Sequence, residues 1–519
     1  MELYSFIPST PFGLLLATLV IIGVLKFVAV VCHTYFYWRD KDVPYQPDSL
    51  RSLITVWNIF LRRMTFTDYN LYMYNYFPDA KYYGTTDLGT PAVFLRDPEL
   101  IKDVLVKEFD HFHDHRSFVD EKLDPIFGKN IFSLRGDRWR EMRNTLSPSF
   151  TASKMKIMFD LISKCSSDFV NYLVDHPELC GAVETMQIFR RYTTDVIATA
   201  AFGISVNSMK DQNNEFYMRG METSKTFSGV LAVFKFMLWL SYPRFAKLLG
   251  LTGFVSPSTS EFFKRIVAET IRTRDEQGIV RPDMIHLLMQ ARDKDDANNY
   301  KMTLDDIVSQ AFLFFSAGFE TSSILMCFVA HELAVNPDIQ DRVRKEVQHH
   351  FAEGNEISYE SLSKMTYMDM VISETLRKYP PVIFTDRLCT KSYELPPSKP
   401  GYKSLTVQCD SVMMIPVYAL HHDPKYYPNP DKFDPERFSE KNKDNIVPYT
   451  YLPFGLGPRK CIGNRFALME TKLLVASLLQ KFILKRTEKT VEPVVFDKKE
   501  ANPQPEGGFW ISLEKRETS

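Results

Sequence analysis

One cysteine stands in a setting that suggests chemistry. The stretch FGLGPRKCIG, Phe454 to Gly463, surrounds Cys461 with Gly455, Gly457, Gly463, a proline and two basic residues. It has neither the Lys-Ser/Thr of a phosphate loop nor G-x-G-x-x-G spacing. The residues that follow, NRFALMETKLLVASLLQKF, predict a strong helix, so Cys461 sits just before a helix N-terminus. Free amides and the helix dipole favour an anion there. A thiolate is such an anion, and amides that donate to sulfur lower its pKa. The glycines let the backbone fold tightly and leave room for a flat object close above it. A lone thiolate presented this way serves as a nucleophile or a metal ligand. A nucleophile needs a histidine base, and no local motif supplies one.

A single axial thiolate ligand to haem iron fits the loop better. Other groupings bear on the choice. SAGFETSS places a Gly, Glu320 and Thr321 in the middle of a helical pattern, where Gly, Thr and Ser are poor helix formers. Glu374 and Arg377 are spaced i,i+3 on one helix face and can pair. Trp139 and Arg143 are spaced i,i+4. His111, His113 and His115 alternate in DHFHDHR, but their acidic neighbours and loop-like context predict a solvated loop rather than a second metal site. His421-His422 has no metal-site partner.

The elements that must hold these residues are mostly helical. The longest begins at Thr303, where T-L-D-D supplies a capping box, and runs to Val335 before Asn336-Pro337 stops it. At about 1.5 Å per residue it crosses a whole domain, with the Glu320-Thr321 pair near its middle. The helix is either locally distorted there or simply tolerates these poor formers. Strand-like pieces are few, the clearest being 92–97 and 411–420.

The chain has 519 residues, a length that allows about three domains, yet only one large domain, 48–519, is read after a short proline-containing linker, 33–47. Lys+Arg (63) and Asp+Glu (64) nearly cancel, which excludes a nucleic-acid binder by charge. Seven scattered cysteines without C-x-x-C pairs predict reduced thiols and no disulfide framework. Residues 1–32 read as a membrane anchor. Pro11 to Cys32 is apolar apart from Thr18 and Lys26, and about 20 residues suffice to span. Aromatic residues Tyr35 to Trp38 would sit at the headgroup level and Arg39 and Lys41 follow, so the positive-inside rule puts the bulk of the chain in the cytosol.

F-x-x-G-x-R-x-C-x-G, here Phe454, Gly457, Arg459, Cys461 and Gly463, resembles the haem-binding loop of cytochrome P450 position for position. Glu374 to Arg377 resembles that family's Glu-x-x-Arg, and Arg437 of PERF its second arginine, a structural network behind the loop. W-R-E-M-R resembles its W-x-x-x-R, and Ala317 to Thr321 its oxygen-activation motif, which implies a slight opening of the helix there. The resemblance covers essentially the whole chain. It implies the P450 fold, mainly α with small β-sheets (α+β), as a single haem domain with an N-terminal transmembrane helix. It implies a b-type haem (heme b) ligated by Cys461, with Trp139, Arg143, Arg387 and Arg459 holding propionates and Phe454, Gly457, Gly463 and Ala317 shaping the cofactor's bed. Thr321 and Glu320 would manage protons during cleavage of O2. Phe132, Phe314, Val382, Ile383 and Phe384 match substrate-recognition positions; all are apolar, implying an apolar small-molecule substrate, and each also suits core packing.

The resemblance is strongest to animal microsomal P450s, especially insect forms linked to clearance of foreign compounds such as plant toxins and insecticides; endogenous lipids are equally compatible. It implies monooxygenation at the cytosolic face of the endoplasmic reticulum. No dinucleotide fingerprint is present, so electrons must come from another protein; the resemblance implies NADPH–cytochrome P450 reductase, with cytochrome b5 as a further candidate donor. Arg138, Arg140, Lys460 and Arg465 are candidate docking cations. Residues 229–255 read as a lid that contacts membrane lipid or as two buried helices. A P450-fold isomerase or dehydratase is the rival enzyme, and a non-catalytic haem- or ligand-binding protein the rival binder. The intact Glu-Thr pair speaks against both.

Overall fold

The computed structural model describes residues 36–516 apart from 47–53, 56, 60, 88–89, 117–118, 123, most of 226–252, 282, 294–301 and 353–356. Of the expected anchor it describes only single positions, and of the expected lid only Leu238, Ala246 and Leu248 before residue 253, so both expectations lie outside the described residues. The fold is mainly helical with small sheets, as expected.

The main sheet has four strands in the order β1 (Tyr82–Asp87), β2 (Thr90–Leu95), β7 (Val412–Ile415), β4 (Thr385–Leu388). β1 and β2 form an antiparallel hairpin, β2 runs parallel to β7 with Ala92 opposite Val412, and β4 is antiparallel to β7. The two segments that read as strands in the sequence thus meet, although 411–420 leaves the sheet after Ile415 and turns into a helical turn at Val417–His421. Short strand β3 (Val183–Glu184) pairs with β9 (Trp510–Lys515), which pairs with β8 (Phe482–Arg486), and β5 (Tyr393–Leu395) pairs with β6 (Leu405–Val407).

Residues 36–46 of the expected linker are described. Trp38 is 2% exposed and its indole Nε1 donates to Thr85 O at 3.0 Å. Gly84 N donates to Pro44 O, and Gln46 N to Gly84 O, each at 2.8 Å. A Cβ on Gly84 would lie 2.5 Å from the Trp38 ring. Residues 38–46 are therefore fastened along β1 rather than hanging free, and burial of an indole outweighs its placement at a membrane surface.

The helices that carry the site are α1 (Gly136–Leu146), α2 (Ala152–Asp175), α3 (Thr185–Ile197), α4 (Glu215–Ser224), α5 (Pro257–Gln277), α6 (Leu304–Val335), α7 (Thr366–Lys378) and α8 (Asn464–Lys481). The capping box at Thr303 and Asp306 starts α6 as the sequence predicts, and Asn336 caps its end. Two apolar cores meet along this helix. Ile307 to Phe319 pack with residues of α1 and α5, and Ile324 to Ala334 with residues of α2, α7 and α8. The handover falls at Glu320–Ser323, so the polar stretch sits where neither core claims the helix. α6 is long and apolar enough to cross a membrane, but it is largely buried inside the domain and is a core helix.

Candidate active site

The cysteine loop is built by backbone bonds. Cys461 N donates to Phe454 O at 2.8 Å and Lys460 N to Gly457 O at 3.0 Å, closing the loop on itself. Gly457 is indispensable to this path: its φ is +74°, and a Cβ there would lie 1.9 Å from the Leu105 carbonyl oxygen. Over Gly463, the N-cap of α8, an added Cβ would meet open space. Phe454 packs against the larger core and Ile462 against the core of the first half of α6.

Cys461 is accessible, yet the protein around it is dense enough that burial pushes its thiol pKa up, while a Gly463 amide bond and the Arg143 cation pull it back. That combination marks a residue lining an interior cleft. Burial dominates at other thiols: Cys165 and Cys389 are each pushed up to about 12.

The basic residues divide by their partners. Arg143 Nη2 donates to Lys460 O at 3.0 Å, tying α1 to the loop. Arg459 stacks over Trp139 at 4.1 Å and donates to Asp114 Oδ1 (2.9 Å), His113 O (2.6 Å) and Leu134 O (2.9 Å). Its Nη1 has only a 3.5 Å contact with Ile131 O, so most of its donors already serve the protein. Arg387, on β4, is 1% exposed; its Nη1 donates to Asp386 O at 2.6 Å, and its Nε has no partner. Desolvation lowers its pKa to about 10. A buried guanidinium with an orphaned donor is built for an anion.

Glu374, Arg377 and Arg437 come together as the resemblance implies. Arg377 grips Glu374 through Nε (2.7 Å) and Nη2 (2.9 Å), both residues being fully buried, and Arg437 Nε reaches Glu374 Oε1 at 3.3 Å. Sequence reasoning missed the link onward. Arg377 Nη1 donates to His421 O (2.9 Å), His421 Nδ1 donates to Arg377 O (3.1 Å), and His421 Nε2 accepts from Leu452 N (2.8 Å). Burial holds the His421 pKa well below its usual range, which keeps the acceptor nitrogen unprotonated. A neutral imidazole thus couples the ion network to the start of the cysteine loop. No local spacing announces it, because its partners lie 44 and 31 residues away.

On α6 the expected opening takes another form: the helix is continuous, and Thr321 Oγ1 folds back to donate to Ala317 O at 2.6 Å. Ala317 is exposed and Leu313, Phe314 and Thr321 half-buried, giving an accessible stripe at helical spacing in an otherwise buried helix. Glu320 points to other partners. Arg190 of α3 grips it through Nε (3.1 Å) and Nη2 (2.7 Å), Ser224 Oγ donates at 2.7 Å and Gln504 Nε2 at 3.4 Å. Glu320 therefore ties α3, the end of α4 and the C-terminal segment to α6, a role invisible from its neighbour Thr321.

Among the expected recognition residues, Phe132 (39%) and Val382 (51%) are exposed, Phe314 and Phe384 are half-buried, and Ile383 is buried. Phe314 stacks on Phe150 at 5.4 Å. The histidine stretch departs from expectation: Asp114 and His115 are buried, and Leu388 N of β4 donates to Asp114 O at 2.7 Å, so the loop is fastened to the sheet edge. Among the described residues no cluster of His, Cys, Asp or Glu could hold a separate metal ion.

The family model described as cytochrome P450 matches residues 47–509. The chain belongs to the cytochrome P450 family. It is 48% identical to cytochrome P450 9e2 of Blattella germanica, with 95% of this chain and 97% of that one aligned. It is 40% identical to a probable cytochrome P450 9f2 of Drosophila melanogaster over 92% and 95% of the two chains, and 35% identical to cytochrome P450 6j1 of Blattella germanica over 96% and 97%. P450s carry haem on a cysteine thiolate. The residues of this P450 fit that group: an accessible thiol with an amide donor, open space above Gly463, and a buried arginine with an unspent donor.

Proposed function

We propose that this P450 is a membrane-bound monooxygenase in which Cys461 would ligate the haem iron as a thiolate and Arg387, with Arg143, Trp139 and Arg459, would hold the haem propionates. The observation that carries the reading is Cys461 itself, an accessible thiol in a loop that excludes any side chain at Gly457 and receives an amide from Gly463. Haem bound there supplies dioxygen activation, converting R–H, O2, two electrons and two protons to R–OH and water.

The chain's own residues do the rest. Thr321 holds a proton on Oγ1 within the accessible stripe of α6, while Glu320, the other member of the proposed proton pair, is held by Arg190, Ser224 and Gln504. Phe132, Phe314, Val382, Ile383 and Phe384 offer apolar contacts, which suit an apolar xenobiotic or lipid. Electrons come from NADPH through a reductase, for which Lys460 and Arg465 are exposed beside Cys461; cytochrome b5 would use the same face. Residues 1–32 anchor the enzyme in the endoplasmic reticulum, with the domain from residue 48 cytosolic. The test is turnover of a panel of apolar probes in vesicles with reductase and NADPH. NADPH-dependent hydroxylation is expected, and Thr321→Ala should divert electrons to hydrogen peroxide while retaining haem. Product formed from peroxides without NADPH would favour the isomerase class instead.

A further inference from the structure

We propose that Asn70 is a positioning residue for the substrate-facing segment 380–384, fixing through the Ile383 backbone where Val382 and Phe384 stand. This deepens the reading of those two side chains as apolar substrate contacts and rests on it.

The segment is held at two points. Upstream, Tyr379 donates its hydroxyl to Glu332 Oε1 of α6 at 2.7 Å and stacks flat on Phe328, one turn earlier on the same helix, at 4.0 Å and 5°. Pro380 and Pro381 follow, and their rings fix two successive φ angles. Downstream, the Ile383 carbonyl accepts from Asn70 Nδ2 at 2.9 Å and from Tyr418 N at 3.1 Å. Asn70 is fully buried, and its Oδ1 accepts from Ala419 N at 2.9 Å. One amide thus ties together the helix Phe66–Tyr74, the segment before β4 and the helical turn Val417–His421. The capping box of Thr65 and Asp68 starts the helix Phe66–Tyr74 and so sets the place of Asn70 along it.

What this clamp controls follows from the backbone. Residues 382–384 run into β4 without a helical turn, so successive side chains alternate. Ile383 turns into the protein and is buried, whereas Val382 is exposed and Phe384 half-buried. Holding the Ile383 carbonyl therefore sets the height and direction of both neighbours. Tyr69, beside Asn70, backs the Phe384 ring at 6.4 Å. Loss of the Asn70 amide leaves the Ile383 carbonyl on Tyr418 N and strips the buried Ala419 N–H of its acceptor, so the stretch between Pro381 and β4 gains freedom where substrate would meet it.

Two imidazoles separate positioning from a bracing role, each titrated into the purified holoenzyme and followed by the shift of the Soret band. Imidazole itself has no bulk beyond the ring that binds iron, whereas clotrimazole carries a triphenylmethyl group into the space beside it. In Asn70→Leu the clotrimazole Kd should rise about three- to tenfold, while the imidazole Kd stays at the wild-type value. Asn70→Ser, whose short hydroxyl cannot bridge Ile383 and Ala419, should show the same pattern and carries the test should Asn70→Leu not take up haem. Val382→Ala should also weaken clotrimazole, and the double variant should lose less than the sum, because a displaced Val382 has less contact to give up. Equal changes for both imidazoles overturn the proposal. So does an unchanged clotrimazole Kd in the Asn70 variants beside a weakened Val382→Ala, which leaves the recognition reading standing. An unchanged clotrimazole Kd in Val382→Ala overturns the recognition reading and this proposal with it.

Discussion

Replacing Glu470 with Gln should stabilise this enzyme, and more so as pH rises. Glu470 is fully buried on α8, neither carboxyl oxygen has a protein partner, and Ser322 of α6 only tempers its burial. Its pKa is pushed from 4.5 up to about 8. In the folded protein it stays protonated up to about that pH, whereas in the unfolded chain it ionises above 4.5. Between the two values the unfolded state binds fewer protons, so stability falls as pH rises. At about 1.4 kcal/mol per pH unit the full window is worth roughly 5 kcal/mol, and about 3.5 kcal/mol of it is already lost at pH 7. That is a large part of a typical stability of about 5–15 kcal/mol. Glutamine has the shape of the neutral acid and no charge to hide. Urea midpoints read by far-UV circular dichroism at pH 5, 7 and 8.5 give the comparison. Wild type and Glu470→Gln should nearly coincide at pH 5 and diverge progressively above it, with the variant the more stable. Parallel profiles, or a variant that loses stability at pH 8.5, would mean that Glu470 is ionised and paired in the folded protein, and the reasoning would fail.

Other substitutions test separate contacts. Gly457→Ala drives a methyl into the Leu105 carbonyl in a left-handed backbone, costing about 1–2 kcal/mol for the conformation and about 1–3 for overpacking; the protein should be recovered with little haem, read from its Soret to 280 nm ratio. Glu374→Gln leaves Arg377 buried without its counter-charge and should cost about 3–5 kcal/mol, visible as a lowered urea midpoint. Trp38→Ala empties the site over Gly84 and should cost about 3–5 kcal/mol; an unchanged midpoint would show that residues 38–46 are not fastened to β1.

What could be read in the sequence was what depends on neighbours in the chain. The capping box at Thr303, the Glu374–Arg377 spacing and the loop around Cys461 are local patterns, and each stands in the structure as its spacing requires. What could not be read joins distant segments. Arg190 on Glu320, His421 on Leu452, His115 on Asp386 and Trp38 on Gly84 are contacts across dozens to hundreds of residues, with no periodicity to betray them. The histidine stretch misled for the same reason, because its acidic neighbours look solvated until Leu388 and Arg459 are seen to bond Asp114. Proximity also misled in the opposite direction, since Glu320 and Thr321 are adjacent yet serve different partners.

The central claim is that Cys461 is the thiolate beneath the haem, and the absorption spectrum of the dithionite-reduced protein under carbon monoxide tests it most directly. A strongly red-shifted Soret band in wild type, lost in Cys461→Ser, is the predicted result. A band at the ordinary histidine-haem position in wild type, or a red-shifted band that survives in Cys461→Ser, would contradict it.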